Sequence, residues 1–194
     1  KELFFATQRA LRQGLENPPD MRLRIRENQR QAMLILKIQG YDEPNVNQLW
    51  SQFKADYFLR HSSEQIAWHT RHILDHADNE KPLVVFGNHK TRGGSEIFLY
   101  CRDMPNLFAT VAAILDHKNL DIHDAQIMSS KENYVMDTFV VMEPNGEPVV
   151  TDRVPMIIQS LEQALTRPGY SLPPSRPLSR RHRQFNVPTQ VTYL

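Results

Sequence analysis

The apolar residues of this chain change their spacing near Lys81, from a period of about 3.6 residues to a period of about 2. The first period is typical of helices with one buried face, and the second is typical of strands with one buried face. Residues 1–80 are therefore expected to be helical, and the residues after them are expected to contain a sheet. The chain is predicted to be an α+β protein.

Helix start and stop signals divide the first 80 residues into four predicted helices. The second of them carries arginines on the side opposite its apolar residues, which favours a solvated face. The first predicted helix covers residues 3–15 and ends at Asn17-Pro18-Pro19, and the second is capped by Asp20, has apolar positions from Ile25 to Ile38 and ends at Gly40. The third is capped by Asn45 and carries Leu49, Trp50, Phe53 and Tyr57. The fourth is capped by Ser62 and Gln65 and holds Ile66, Ile73, Leu74 and Ala77. Together they are expected to form a small bundle or connector.

The second part of the chain has the order strand, helix, strand, strand, helix, with one more strand near its end. The predicted elements are strands over 83–86 and 96–102, a helix that begins at Pro105 and ends near Lys118, a strand over 122–129, a turn over 130–133, a strand over 134–143, a helix over 154–165 and a closing strand over 189–194. Both faces of the second strand are apolar, so at least one of them should be covered. This order predicts a ferredoxin-like fold, an antiparallel four-stranded sheet with two helices on one face.

Four segments follow from these patterns. They are a helical connector over 1–80, a βαββαβ module that occupies 81–166 together with the preceding strand hairpin, a linker over 167–188 that interrupts this module, and the closing strand of the module over 189–194. The linker holds five prolines and five arginines, a composition that does not form a core of its own.

The near-neutral net charge of +1 is a sum of opposite charges. Residues 1–37 carry eight basic and four acidic side chains, a balance of +4, and residues 94–166 carry four and eleven, a balance of −7. The arginines between 176 and 183 could contact phosphates or the acidic module. Because no aromatic side chain is interleaved from 178 to 184, no nucleic-acid partner is expected.

Composition also bears on the compartment. No run of about 18 apolar residues and no signal peptide occur, so no membrane partner is expected and the protein is predicted to be cytoplasmic. The single cysteine, Cys101, is interpreted as a small buried hydrophobe. The chain begins with Lys1 instead of Met, and we expect it to be part of a longer protein.

Recognisable catalytic motifs are missing from the sequence. It has no glycine-rich phosphate loop, no dinucleotide fingerprint and no nucleophile elbow. Asp121 and Asp124 would point to opposite sides of a strand, so no metal site is predicted there. His69, His72 and His76 share one helical face, which fits either a zinc site or a partly exposed polar face, and we favour the polar face.

The remaining candidate is the strand-to-helix turn that follows Arg102. Asp103 could cap the helix, and the backbone N–H groups of the first helical turn favour a bound carboxylate. A well-capped helix start without a ligand explains the same residues equally well.

The turn resembles the signature of the ACT domain, a small amino-acid-sensing module, although Asn106 stands where that signature has glycine. The resemblance rests on Asp103, Met104, Pro105, Asn106, Leu107 and Phe108, followed by residues 119–122 and Ala125. Asparagine tolerates left-handed dihedral angles, so the turn can persist. The resemblance implies that residues 103–108 bind an amino acid and that Ile122, His123 and Asp124 form the wall of its pocket.

Residues 56–61 and 64–69, with the run 11–15, resemble the bifunctional uridylyltransferase/uridylyl-removing enzymes that modify nitrogen regulatory protein PII. The resemblance implies a glutamine-sensing role, PII as partner of the whole enzyme, and pairing with a second ACT module or with another copy. That family's catalytic motifs have no counterpart here, so no catalytic residue and no cofactor is assigned to this chain. Mg²⁺ is expected for the parent enzyme. The alternative is a structural connector whose ACT copy pairs but binds no ligand.

Overall fold

Helices precede a four-stranded antiparallel sheet in the computed structural model, which describes residues 21–77, 81–87 and 93–166. The elements are α1 Met21–Ile38, α2 Glu43–Ser51, α3 Ala55–Arg60, α4 Ser63–Asp75, β1 Leu83–Gly87, β2 Ser95–Arg102, α5 Leu107–His117, β3 Asp121–Gln126, β4 Tyr134–Met142, a 3-10 turn Thr151–Arg153 and α6 Val154–Thr166. The strands lie in the order β1-β2-β4-β3. The α+β prediction is confirmed. The first predicted helix, the linker and the closing strand lie outside the described residues.

The second predicted helix, α1, ends as its glycine indicates. Gly40 has a φ of +89°, a left-handed conformation that glycine adopts without a steric penalty. Ala32 and Leu36 are fully buried. Ile38, however, was expected on the apolar face and is 87% exposed, because it lies in the last turn beyond the packed part of the helix.

The prediction that Asn45 caps a single long third helix is wrong. The N-cap is Asp42, Pro44 lies in the first turn, and the helix stops at Ser51. Lys54 is extended, with φ −83° and ψ 155°, and α3 begins after it. The apolar side chains nevertheless all reach one core, because Leu49, Trp50, Phe53 and Tyr57 are buried.

The fourth predicted helix, α4, begins with the capping box that the sequence indicates. The Ser62 hydroxyl accepts a hydrogen bond from the Gln65 backbone N–H at 3.3 Å, and the Gln65 side chain accepts one from the Ser62 backbone N–H at 3.2 Å. The helix ends at Asp75, so Ala77 lies beyond it.

The sheet has two buried central strands and an exposed edge strand. β2 is buried from Ser95 to Cys101 and β4 from Val135 to Val141, which confirms the expected cover over β2. β3 lies at the edge and its first four residues are exposed. The strand predicted over 122–129 ends earlier, at Gln126, and Ser129 forms only an isolated bridge to Val135.

The chain divides into two compact units. Among the described residues, the first contains 21–77, 81–85, 98–103 and 126–138, and the second contains 86–87, 93–97, 104–125 and 139–166. The core of the first unit is rich in aromatic side chains, which come from α2, α3, the link between these helices, and β2. In the second unit α5 and α6 pack together through buried aliphatic side chains. In the described part of the chain no helix is both long and apolar enough to span a membrane.

Candidate functional site

The candidate site is the turn between β2 and α5, and its last residue has an unusual backbone. Asn106 has φ 61° and ψ 21°, the left-handed conformation, and it is the N-cap of α5. Its carbonyl accepts the Thr110 N–H at 2.8 Å, while its side chain makes no capping hydrogen bond. The predictions that the helix begins at Pro105 and that Asp103 caps it are therefore wrong, since residues 105 and 106 form a turn and the helix begins at Leu107.

Most side chains of the turn reach solvent. Asp103, Pro105, Asn106 and Phe108 are exposed and Met104 is partly buried, whereas Leu107 is 5% exposed and anchors the start of α5 in its unit. The Phe108 ring is 46% exposed and stacks on Phe139, with ring centroids 5.9 Å apart. Leu107 and the ring contact of Phe108 therefore anchor the end of the turn, and its polar side chains are exposed.

The turn begins at a fixed point. The Asp103 N–H donates to the Asn133 carbonyl at 2.8 Å, although the Asp103 side chain is exposed. Asn133 is also left-handed, with a φ of 59°. The loop between β3 and β4 therefore positions the backbone at the start of the turn.

Ile122, His123 and Asp124, the predicted wall of the pocket, are consecutive residues of the edge strand β3. All three are exposed, and they belong to the same compact unit as residues 104–108. Asp103 ends a segment that belongs to the other unit. The role of these nine residues stays a prediction.

Sequence reasoning missed one buried carboxyl group, that of Asp137 on β4. The residue is 1% exposed, and one carboxyl oxygen accepts the Met128 N–H at 3.0 Å. Burial, with a smaller contribution from the charge of Asp103, raises the pKa of Asp137 to about 6. The available signal was an acidic residue in the middle of the apolar run 134–142.

Cys101 behaves as its sequence context indicates. It is buried in β2, and burial raises the pKa of its thiol to about 12. A thiol that stays protonated is a poor nucleophile, so the interpretation of Cys101 as a small buried hydrophobe is confirmed.

The histidine face of α4 was expected to be a partly exposed polar face, which fits His72 and His76 but not His69. His69 is fully buried, its Nδ1 lies 2.9 Å from the Tyr57 hydroxyl, and its ring stacks on Phe98 at 3.9 Å. His72 is partly buried, which lowers its pKa, and the His76 Nε2 lies 3.0 Å from the Lys81 carbonyl. Among the described residues no group of three or more His, Cys, Asp or Glu is arranged to hold a metal ion.

The sequence is similar to known proteins over its whole length. Residues 20–72 match the family model for the fifth domain of the uridylyltransferase GlnD. The bifunctional uridylyltransferase/uridylyl-removing enzyme of Vibrio cholerae is 49% identical over 193 residues, which are 100% of this chain and 22% of that protein. Those of Aliivibrio fischeri and Photobacterium profundum are each 47% identical over the same shares. No solved structure matches the chain.

The helices, the antiparallel sheet and the strand-to-helix turn define an α+β protein compatible with an ACT-like module. By sequence, the chain is a homologue of one segment of the bifunctional uridylyltransferase/uridylyl-removing enzymes. It spans 22% of the length of the relatives compared.

Proposed function

We propose that this chain is the glutamine-sensing, non-catalytic segment of a cytoplasmic enzyme that uridylylates and deuridylylates PII. The observation that carries the proposal is the open turn at residues 103–108, which ends in a left-handed N-cap whose side chain makes no capping hydrogen bond. The 49% sequence identity with a bifunctional enzyme over the whole chain supports its assignment to an enzyme of this kind. Mg²⁺ is expected at catalytic sites elsewhere in such an enzyme, and no cofactor is assigned to this segment.

The chemistry of the turn fits the α-carboxylate of an amino acid. The first N–H groups of a helix have no intrahelical acceptor and carry the positive end of the helix dipole, so they attract an anion. The first turn of α5 holds no acidic side chain that would compete with a ligand carboxylate. The N–H groups of Phe108 and Ala109 are the donors that we assign to the ligand.

Two exposed polar side chains of the turn can contact the other two polar groups of glutamine, its ammonium group and its side-chain amide. The Asp103 carboxylate can pair with the ligand ammonium group, and the Asn106 amide can exchange hydrogen bonds with the ligand amide. Ile122, His123 and Asp124 on β3, whose side chains are all exposed, form the proposed wall.

Isothermal titration calorimetry with L-glutamine tests the proposal. We expect the unmodified chain to bind and Asp103→Ala to weaken binding about tenfold, a loss typical of one charged contact. Asn106→Asp should weaken it similarly, because the new carboxylate repels that of the ligand. Asp116→Ala, which changes an exposed acid at the far end of α5, is the matched control and should bind normally. Equal affinities for all four chains would contradict the residue assignment.

The edge strand supports a second candidate function, that of a pairing module without a ligand of its own. Among the described strands β3 lies at the sheet edge, with Asp121, Ile122 and His123 exposed, and an edge strand can add a strand from a second module or copy. Under this candidate the chain dimerises without binding amino acids. Light scattering should then report a dimer that Ile122→Lys dissociates, while Ile127→Lys, outside the strand and 53% exposed, leaves it intact.

A further inference from the structure

The loop between β3 and β4 is hydrogen-bonded to the end of α2. The Lys131 backbone N–H donates to the Gln52 carbonyl at 2.9 Å, and the Lys131 ammonium donates to the Ser51 carbonyl at 2.8 Å. A third bond joins the Lys54 ammonium to the Ser129 hydroxyl at 2.9 Å. We call residues 129–133 the clasp loop.

The choice of lysine at position 131 has an electrostatic reason. Ser51 is the last residue of α2 and Gln52 is its C-cap, so their carbonyls lie at the negative end of the helix dipole. α2 has no basic residue in its last turn. The Lys131 ammonium supplies the positive charge that this helix end lacks, from a residue about 80 positions away.

The clasp loop is itself a closed structure. Ser130 is 5% exposed, and its hydroxyl accepts the N–H groups of both Glu132 and Tyr134 at 3.2 and 3.0 Å. The Ser130 N–H in turn donates to the Tyr134 carbonyl at 2.7 Å. These three hydrogen bonds link residues 130, 132 and 134 to one another.

The same loop fixes the start of the candidate ligand turn, because the Asn133 carbonyl accepts the Asp103 N–H at 2.8 Å. The clasp loop is therefore hydrogen-bonded both to the start of the turn and to the end of α2. All of these bonds lie within one compact unit.

We propose that the clasp loop transmits the state of the ligand turn to the helical segment, with Lys131 as the residue that makes the connection. This inference rests on the proposed function for its ligand. When glutamine orders the turn, the Asp103 backbone is held against Asn133, the clasp loop is held with it, and the end of α2 is stabilised through Lys131. Coupling of this kind requires a contiguous physical connection between the two sites, and these hydrogen bonds provide one.

Amide hydrogen exchange measured by NMR on the full chain tests the connection without any ligand. Lys131→Met keeps the aliphatic stem and removes the charge and the donors. We expect the amides of Asp103 and Phe53, which lie in or next to the two segments that the loop contacts, both to exchange about three- to tenfold faster, the change that loss of one hydrogen bond produces. Lys118→Met, the same substitution in the other unit, should leave both rates unchanged. Unchanged exchange at Asp103 in Lys131→Met would overturn the inference.

The same measurement with L-glutamine separates this inference from the proposed function. In the unmodified chain we expect glutamine to slow amide exchange both at the turn and at residues 52–54. In Lys131→Met we expect it to slow amide exchange at the turn only. Slowed exchange at residues 52–54 in both chains would overturn the role of Lys131. If glutamine slows no amide, the proposed function fails, and the ligand-free comparison still decides whether the clasp loop couples the two sides.

Discussion

Asn106 has a left-handed backbone at a position where the ACT signature has glycine. Its φ of 61° lies in the region where an L-residue with a branched side chain is strained. Asparagine reaches this region at a lower cost because of its short polar side chain. The sequence alone therefore predicted that the turn persists, but it misplaced the helix start, because proline at a first helical position is a common signal that the structure does not follow here.

Substitutions at Asn106 should separate backbone effects from side-chain effects. Asn106→Gly should leave the free energy of unfolding within about 0.5 kcal/mol of the unmodified value or raise it, since glycine adopts positive φ freely. Asn106→Val should lower it by about 1–2 kcal/mol. Urea unfolding measures both. Asn47→Val in helix α2 is the control and should change the free energy by less than about 0.5 kcal/mol, because the two residues have similar helix propensities. Equal stabilities of the glycine and valine variants at position 106 would contradict the strained geometry.

Because of Asp137, the stability of the protein should fall as the pH rises from about 4 to about 6. Because its folded pKa of about 6 lies above the unfolded value near 4, the folded state binds more protons between these values, and stability falls as pH rises through them. The free energy of unfolding should be lower by about 2–3 kcal/mol near pH 7 than at low pH, since each pKa unit corresponds to about 1.4 kcal/mol. Asp137→Asn should remove this fall, which urea unfolding at pH 4.5 and pH 7 would show.

The matched control is Asp121→Asn at an exposed position of β3, which should keep the pH dependence of the unmodified chain. A fall that persists in Asp137→Asn would assign the pH dependence to another group. Burial of Asp137 could not be predicted from the sequence, because an acidic residue in a strand is normally placed on the solvent face, and both faces of β4 are buried.

At the level of elements, the capping signals determined which helix boundaries were predictable. Ser62 and Gln65 make reciprocal bonds that depend only on residues three positions apart, and the sequence places α4 correctly. The break between α2 and α3 was missed because Leu49, Trp50, Phe53 and Tyr57 keep helical spacing across it. Helical spacing of apolar residues indicates that they face one core. Two short helices that pack against that core produce the same spacing as one long helix.

Removal of the cap should weaken α4 measurably. Ser62→Ala should lower the free energy of unfolding by about 1 kcal/mol, because the Gln65 N–H loses its acceptor. Ser62→Asn keeps a side-chain acceptor and should stay within about 0.3 kcal/mol of the unmodified chain. Thermal unfolding compares the three chains. A Ser62→Asn variant as unstable as Ser62→Ala would show that the cap is not the cause.

For the whole molecule, the sequence predicted the fold class and the turn but not the long-range contacts. The α+β order followed from local periodicity, which each segment carries by itself. The bonds from Lys131 to residues 51 and 52 join positions about 80 apart, and no local pattern encodes them. The burial of His69 was not predicted for the same reason, since the ring that stacks on it, Phe98, lies in β2, far from it in the sequence.

Titration of the isotope-labelled chain with L-glutamine, followed by backbone amide NMR, shows whether glutamine binds at the turn. We expect saturable shifts at Phe108 and Ala109, the proposed carboxylate donors, with D-glutamine as the control ligand causing smaller shifts. Saturable shifts confined to residues outside 103–108 and 122–124, or no shifts at about 10 mM L-glutamine, about ten times the dissociation constant that corresponds to about 4 kcal/mol of binding free energy, would contradict binding at the turn.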